Sequence, residues 1–258
     1  MNQFTGQPHC VKMAPLAIQL FCLVLVLVTA QGAHLPTYIS PCKVRSPDFS
    51  ACAVKSGNEA IPNLANGDKK LGIPTLNPLI VPFIELSSGE LRLNGTDTVV
   101  NGLLTMKLED MKVDLSTKSV ILTVRSTEMI SLDLNYNIGG KVVALPIEGK
   151  GKGNIKFYNM KAVYSFVFEE TERKGNIYAE IKNDHLDIFP EKMTIQLDNL
   201  FNGNKQLGDT TNQFLNENWQ EVLKEFGPAI AEVINSVIRS ILVPLSKKVP
   251  LNEIFTDY

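Results

Sequence analysis

Three groups of residues have types and spacing that invite chemistry. Asp184, His185 and Asp187 set two carboxylates and an imidazole within four positions, the material of a metal site or an acid/base pair. Gly149-Lys150-Gly151-Lys152-Gly153 resembles a loop that cradles phosphate, and Asn94-Gly95-Thr96 is a glycosylation sequon. Each has a plainer structural meaning. The sequence contains no GxSxG elbow to give His185 a nucleophile, and no HExxH or EF-hand spacing. The 184–187 cluster is therefore expected to be a polar turn between strands. A Walker loop needs Ser or Thr after its Gly-Lys and a helix next, whereas a strand pattern follows here. A bulge or a close backbone approach is the better expectation for the glycines. The sequon at Asn94 falls at a predicted turn. No catalytic residue, metal or cofactor is expected.

The N-terminus carries a different signal. An uncharged run from Leu16 to Val28 follows Lys12 and precedes the small residues Ala30, Gly32 and Ala33. That is the layout of a secretory signal peptide, and the run is shorter than the roughly 20 apolar residues a membrane span requires. Residues 1–30 are expected to be removed, with Met13 an alternative start, leaving 31–258 as one ligand-binding domain. Of the 25 basic residues one, Lys12, lies in the leader, and all 27 acidic residues lie beyond it. A mildly acidic chain without a clustered basic face excludes a nucleic-acid partner. Cys10 and Cys22 leave with the leader. Cys42 and Cys52 remain, with nine residues between them, and are expected to form a disulfide.

The elements that must position any site follow from periodicity. Ser46, Pro47 and Asp48 mark a helix start, and the helix should run towards Leu64 before Asn66-Gly67 ends it. Prolines 74, 78 and 82 then impose an extended edge or crossover. From about Phe83 to Phe201 the chain reads as β-structure. Leu132, Leu134, Tyr136 and Ile138 alternate with polar residues, as do Tyr164, Phe166 and Phe168, and Met193, Ile195 and Leu197. Turns are expected at Asn94-Gly95, Asn101-Gly102, Gly139-Gly140 and Lys174-Gly175-Asn176. With no helical pattern between the strands, long curved antiparallel pairing is expected. The period then changes to three or four residues. From Asp209, as N-cap, to Val243, apolar residues including Leu215, Trp219, Val222, Phe226, Ile230 and Ile234 predict one long helix, kinked at Pro228. Glu232 and Arg239 argue against membrane insertion.

Several segments together resemble the insect takeout and juvenile-hormone-binding family. They are the Cys42 and Cys52 pair, Ile61-Pro62-Asn63-Leu64-Ala65-Asn66-Gly67 with Leu71-Gly72-Ile73-Pro74, Gly208-Asp209 leading to Phe214-Leu215-Asn216-Glu217-Asn218-Trp219, and the tail Val249-Pro250-Leu251-Asn252-Glu253-Ile254-Phe255. The resemblance implies an α+β fold of the TULIP kind, with a strongly bent antiparallel β-sheet rolled around one long C-terminal α-helix, a short N-terminal helix and an enclosed apolar tunnel. Juvenile-hormone binders of this family usually have a second disulfide. This chain lacks the cysteines for it, which moves the reading to the takeout branch.

The expected function is a secreted carrier of a small lipophilic ligand, such as a terpenoid hormone, fatty acid or isoprenoid lipid, with the receptor left open. The ligand wall is expected from Leu132, Leu134 and Ile138, from Phe157, Tyr164 and Phe166, and from Phe226, Ile230 and Ile234. Tyr136 is expected either to anchor an oxygen-bearing ligand or to be a core tyrosine bonded to backbone or water. The alternatives in other classes are a secreted lipid esterase or hydrolase, and a surface protein that extracts membrane lipid.

Overall fold

The computed structural model describes residues 33–143 and 145–258; the expected leader lies outside the described residues. Ser46 and Pro47 lie in a turn just ahead of the helix, and Asp48 rather than Ser46 is its N-cap. The Ser46 carbonyl accepts from Phe49 N–H at 3.1 Å, and helix α1 runs over Phe49–Ala60, continued by a 3-10 turn at Ile61–Leu64 that carries Pro62. The Cys42–Cys52 disulfide, with Cα atoms 6.0 Å apart, ties the segment before α1 to the helix itself.

Nine antiparallel strands follow among the described residues: β1 (Leu79–Ser88), β2 (Leu91–Asn101), β3 (Met106–Asp114), β4 (Ser119–Ser126), β5 (Ile130–Val142), β6 (Leu145–Tyr158), β7 (Lys161–Arg173), β8 (Asn176–Phe189) and β9 (Lys192–Leu197). They pair into a five-stranded sheet, β1-β2-β5-β6-β9, and a four-stranded sheet, β3-β4-β7-β8. Bulges between Thr96 and Val99, Leu108 and Asp110, and Ser165 and Val167 supply local bends. Lys174 and Gly175, both with positive φ, make the two-residue turn between β7 and β8 as the sequence predicts.

Two other glycine pairs do not turn the chain. Gly95 lies inside β2 opposite Ile84 and Tyr136, where an added Cβ would stand 2.7 Å from the Leu134 side chain. Gly140 lies inside β5 with φ +120°, and a Cβ there would meet the Glu90 carbonyl at 2.2 Å. Both sites need the missing side chain for close approach. Asn94 is accordingly an exposed mid-strand residue.

The C-terminal helical section is divided. Helix α2 (Lys205–Glu217) begins at Asn204, not Asp209, with the Asn204 side chain accepting from Leu207 N–H at 3.1 Å. The chain leaves helical geometry at Asn218, and α3 (Trp219–Lys248) follows with Pro228 and Pro244 inside it. The two helices serve different partners. On α2, Asn212 exchanges two 2.9 Å hydrogen bonds with the backbone of Leu197, and Asn216 does the same for Ile195 at 3.0 and 2.7 Å. One helical turn thus matches two strand residues and satisfies the outer edge of β9. Helix α3 instead packs between the sheets. The short helix α4 (Leu251–Ile254) leads to Phe255, whose neighbours Ile254 and Thr256 bond the Cys42 backbone and close the termini together.

Candidate functional site

The inner face of the five-stranded sheet is apolar because of the two-residue period. Along β5, Leu132, Leu134, Tyr136 and Ile138 face inward while Asp133, Asn135 and Asn137 are exposed. Strand β6 adds Ile147, Ile155 and Phe157, and β9 adds Met193, Ile195 and Leu197. Helix α3 lies over this face and presents Val222, Phe226, Ile230, Val233 and Ile234. Between them is a cavity of about 110 Å³. That is several times the roughly 10–15 Å³ one water needs. Its remaining wall comes from Ile84 and Leu86 of β1, Leu91 and Leu93 of β2, Val142 of β5 and Leu215 of α2. Every described residue of the wall is Leu, Ile, Val, Phe or Met, and no polar atom faces the space.

Seven of the expected wall residues meet there: Leu132, Leu134, Ile138, Phe157, Phe226, Ile230 and Ile234. Tyr136, Tyr164 and Phe166 are placed elsewhere. The Tyr136 ring is 2% exposed, and its hydroxyl donates to the main-chain carbonyl of Asp198 at 2.6 Å. Burial, followed by the Asp198 charge, pushes its pKa up to about 12. The glycine run on β6 makes this possible. A Cβ at Gly149 would reach the Tyr136 hydroxyl at 3.0 Å, one at Gly153 the ring at 3.4 Å, and one at Gly151 the Asp198 carbonyl at 2.3 Å. The five residues 149–153 are a slot for one aromatic ring and one crossing backbone, not a phosphate loop.

Tyr164 and Phe166 belong to the four-stranded sheet, their ring centroids 5.6 Å apart. The 184–187 cluster is also there, inside β8 rather than at a turn. Alternation sends its members to opposite sides. His185 and Asp187 form an exposed pair at 3.2 Å, while Asp184 turns inward. Arg239 of α3 grips Asp184 with two hydrogen bonds, Nε to Oδ2 at 2.6 Å and Nη2 to Oδ1 at 2.8 Å, and reaches Glu232 at 2.8 Å. The Tyr164 hydroxyl donates to Asp184 at 3.1 Å, and Asn235 adds another hydrogen bond. The Arg239 guanidinium holds the Asp184 carboxyl below the usual carboxylate range, and burial pushes the Tyr164 hydroxyl up. This cluster moors the face of α3 opposite the cavity.

The sequence reading missed the β1, β2, β6 and β9 contributions other than Phe157, and with them Val142 of β5, Leu215 of α2, and Val222 and Val233 of α3. The alternation of Met193, Ile195 and Leu197 marked a strand but not which sheet its inner face would serve.

One helix thus lies between two antiparallel sheets, with an apolar cavity against one of them. The sequence pattern of the family described as haemolymph juvenile hormone binding protein (JHBP) matches residues 20–256, and the chain belongs to that family. It is similar to the circadian clock-controlled protein daywake of Drosophila yakuba, 23% identical over 240 residues, which cover 85% of this chain and 88% of that protein. A shorter similarity, 25% over 116 residues, covers 44% of this chain and 46% of a putative beta-carotene-binding protein of Schistocerca gregaria. Among solved structures, the crystal structure of Epiphyas postvittana Takeout 1 superposes with a TM-score of 0.76 at 26% identity, over 84% of this chain and 99% of that one. Family and fold together make the chain a carrier of hydrophobic ligands.

Proposed function

We propose that the protein is a secreted carrier that takes up one small lipophilic molecule beneath α3, holds it without covalent change and releases it intact. The observation that carries this reading is the cavity wall, which is hydrocarbon and thioether throughout. Apolar area leaving water contributes roughly 25 cal/mol per Å², which supplies the affinity without any charged contact. The same wall offers no group able to attack an ester, so the cargo leaves unchanged. Residues 1–30 act as the leader in this reading, and the exposed Asn94 is an acceptor for glycan. The relative named as a putative beta-carotene-binding protein supports a lipophilic cargo. Expression of the full chain in insect cells tests it. The medium should contain a protein shortened by the leader, and native mass spectrometry with solvent extraction should find lipid in it. Retention in the cell overturns the secretion; a purified protein that neither carries lipid nor takes up a fluorescent apolar probe overturns the carrier.

A further inference from the structure

We infer that the cavity selects ligands whose buried length is bare hydrocarbon, and discriminates against an oxygen placed within that length. The inference rests on the carrier reading and narrows its cargo. A carbonyl or hydroxyl moved from water into this wall would lose its hydrogen bonds, because no described wall residue carries a polar side-chain atom. The one hydroxyl on the inward face of β5, that of Tyr136, is spent on Asp198. Two buried side-chain polar atoms among the described residues lack a partner, Thr98 Oγ1 and Asn235 Oδ1. Neither is in the wall: at 100° per residue Asn235 lies on the far side of α3 from Phe226 and Ile230, and Thr98 Oγ1 sits at the β2 bulge beside Gly95, next to Ile84 and Leu134. The wall itself therefore holds no anchor. A chain with a polar end is admissible only with that end outside the cavity.

The test is displacement of N-phenyl-1-naphthylamine from the full secreted protein by three molecules of one skeleton: n-tridecane, 1-tridecanol and 7-tridecanone. Tridecane should compete best, and the mid-chain ketone should be weaker by about tenfold to a hundredfold, the range over which an apolar pocket rejects an added polar group. The terminal alcohol should fall near the alkane. Val142→Thr, on strand β5 where no helix carbonyl takes up the hydroxyl, places a hydroxyl in the wall at nearly constant volume, and it should narrow the ketone-to-alkane ratio by about fivefold. Equal displacement by ketone and alkane in the parent overturns the selectivity and leaves the carrier standing. A ratio unchanged by Val142→Thr also overturns it, because the wall's apolarity would then not be its cause. If none of the three displaces the probe, the carrier reading itself falls.

Discussion

The Tyr136 hydroxyl, on the inner face of β5, donates at 2.6 Å to the carbonyl of Asp198, just beyond the end of β9. The bond spans β6, and three alternate glycines in that strand leave it the space. It fastens the connection that leads from the sheet to α2. Removing the hydroxyl should therefore weaken the fold and spare the ligand. Tyr136→Phe is expected to lower unfolding free energy by about 0.5–1.5 kcal/mol, the net worth of one hydrogen bond. Denaturant unfolding reads the first effect and probe displacement the second. A variant as stable as the parent but weaker for oxygenated ligands would restore the anchor role.

Asn212 makes a second prediction about the same edge. Its side chain, 8% exposed, both donates to and accepts from Leu197 at 2.9 Å. Asn212→Leu keeps the volume and leaves one N–H and one carbonyl buried without partners. Each such loss costs about 1–3 kcal/mol, so the variant should be destabilised by more than Tyr136→Phe. Equal stability of the two variants, measured by the same unfolding curves, would show that water replaces the amide and that α2 does not seal β9.

Asp184 and Arg239 predict a pH dependence. The carboxyl is held below its ordinary value chiefly by the Arg239 hydrogen bonds. A depressed folded pKa contributes stability that is present above the unfolded value, about 3.9, and lost as pH falls through the folded value. Asp184→Asn should cost about 1–3 kcal/mol near pH 7, where Arg239 loses one of its two carboxylate partners and keeps only the exposed Glu232. The gap between parent and variant should close below about pH 4. Thermal melts from pH 7 to pH 3 check this, and a constant gap over that range would mean that Asp184 acts by packing rather than charge.

What the sequence made legible was what depends on local period. Leu132 to Ile138 announced a strand with one apolar face, and Val222 to Ile234 a helix with an apolar stripe, and these are the two walls of the cavity. The polar partners were hidden because they are distant in sequence. Asp184 meets Arg239 from 55 positions away, and Tyr136 meets Asp198 from 62. Period alone gave no sign that the apolar run from Leu215 to Val243 was two helices. Asn212 and Asn216 face β9, which binds α2 to that edge while α3 follows the cavity, and the chain must leave helical geometry between them. Gly95 and Gly140 misled for a related reason: turn chemistry and close packing call for the same residue.

The cavity itself gives the last prediction. Ile230 is half-buried on α3 and lines the open space, so a larger side chain there has room that a close-packed core would deny it. In a filled core such an insertion costs typically 1–3 kcal/mol, whereas filling a void commonly adds about 0.5–2 kcal/mol. Ile230→Phe should therefore melt at or above the parent temperature while binding the apolar probe at least about tenfold more weakly, since ring and ligand compete for one volume. The two readings separate the causes. Loss of binding with loss of stability would mean that the helix has been displaced and the space was not free. Unchanged binding with unchanged stability would place the ligand somewhere other than beneath α3.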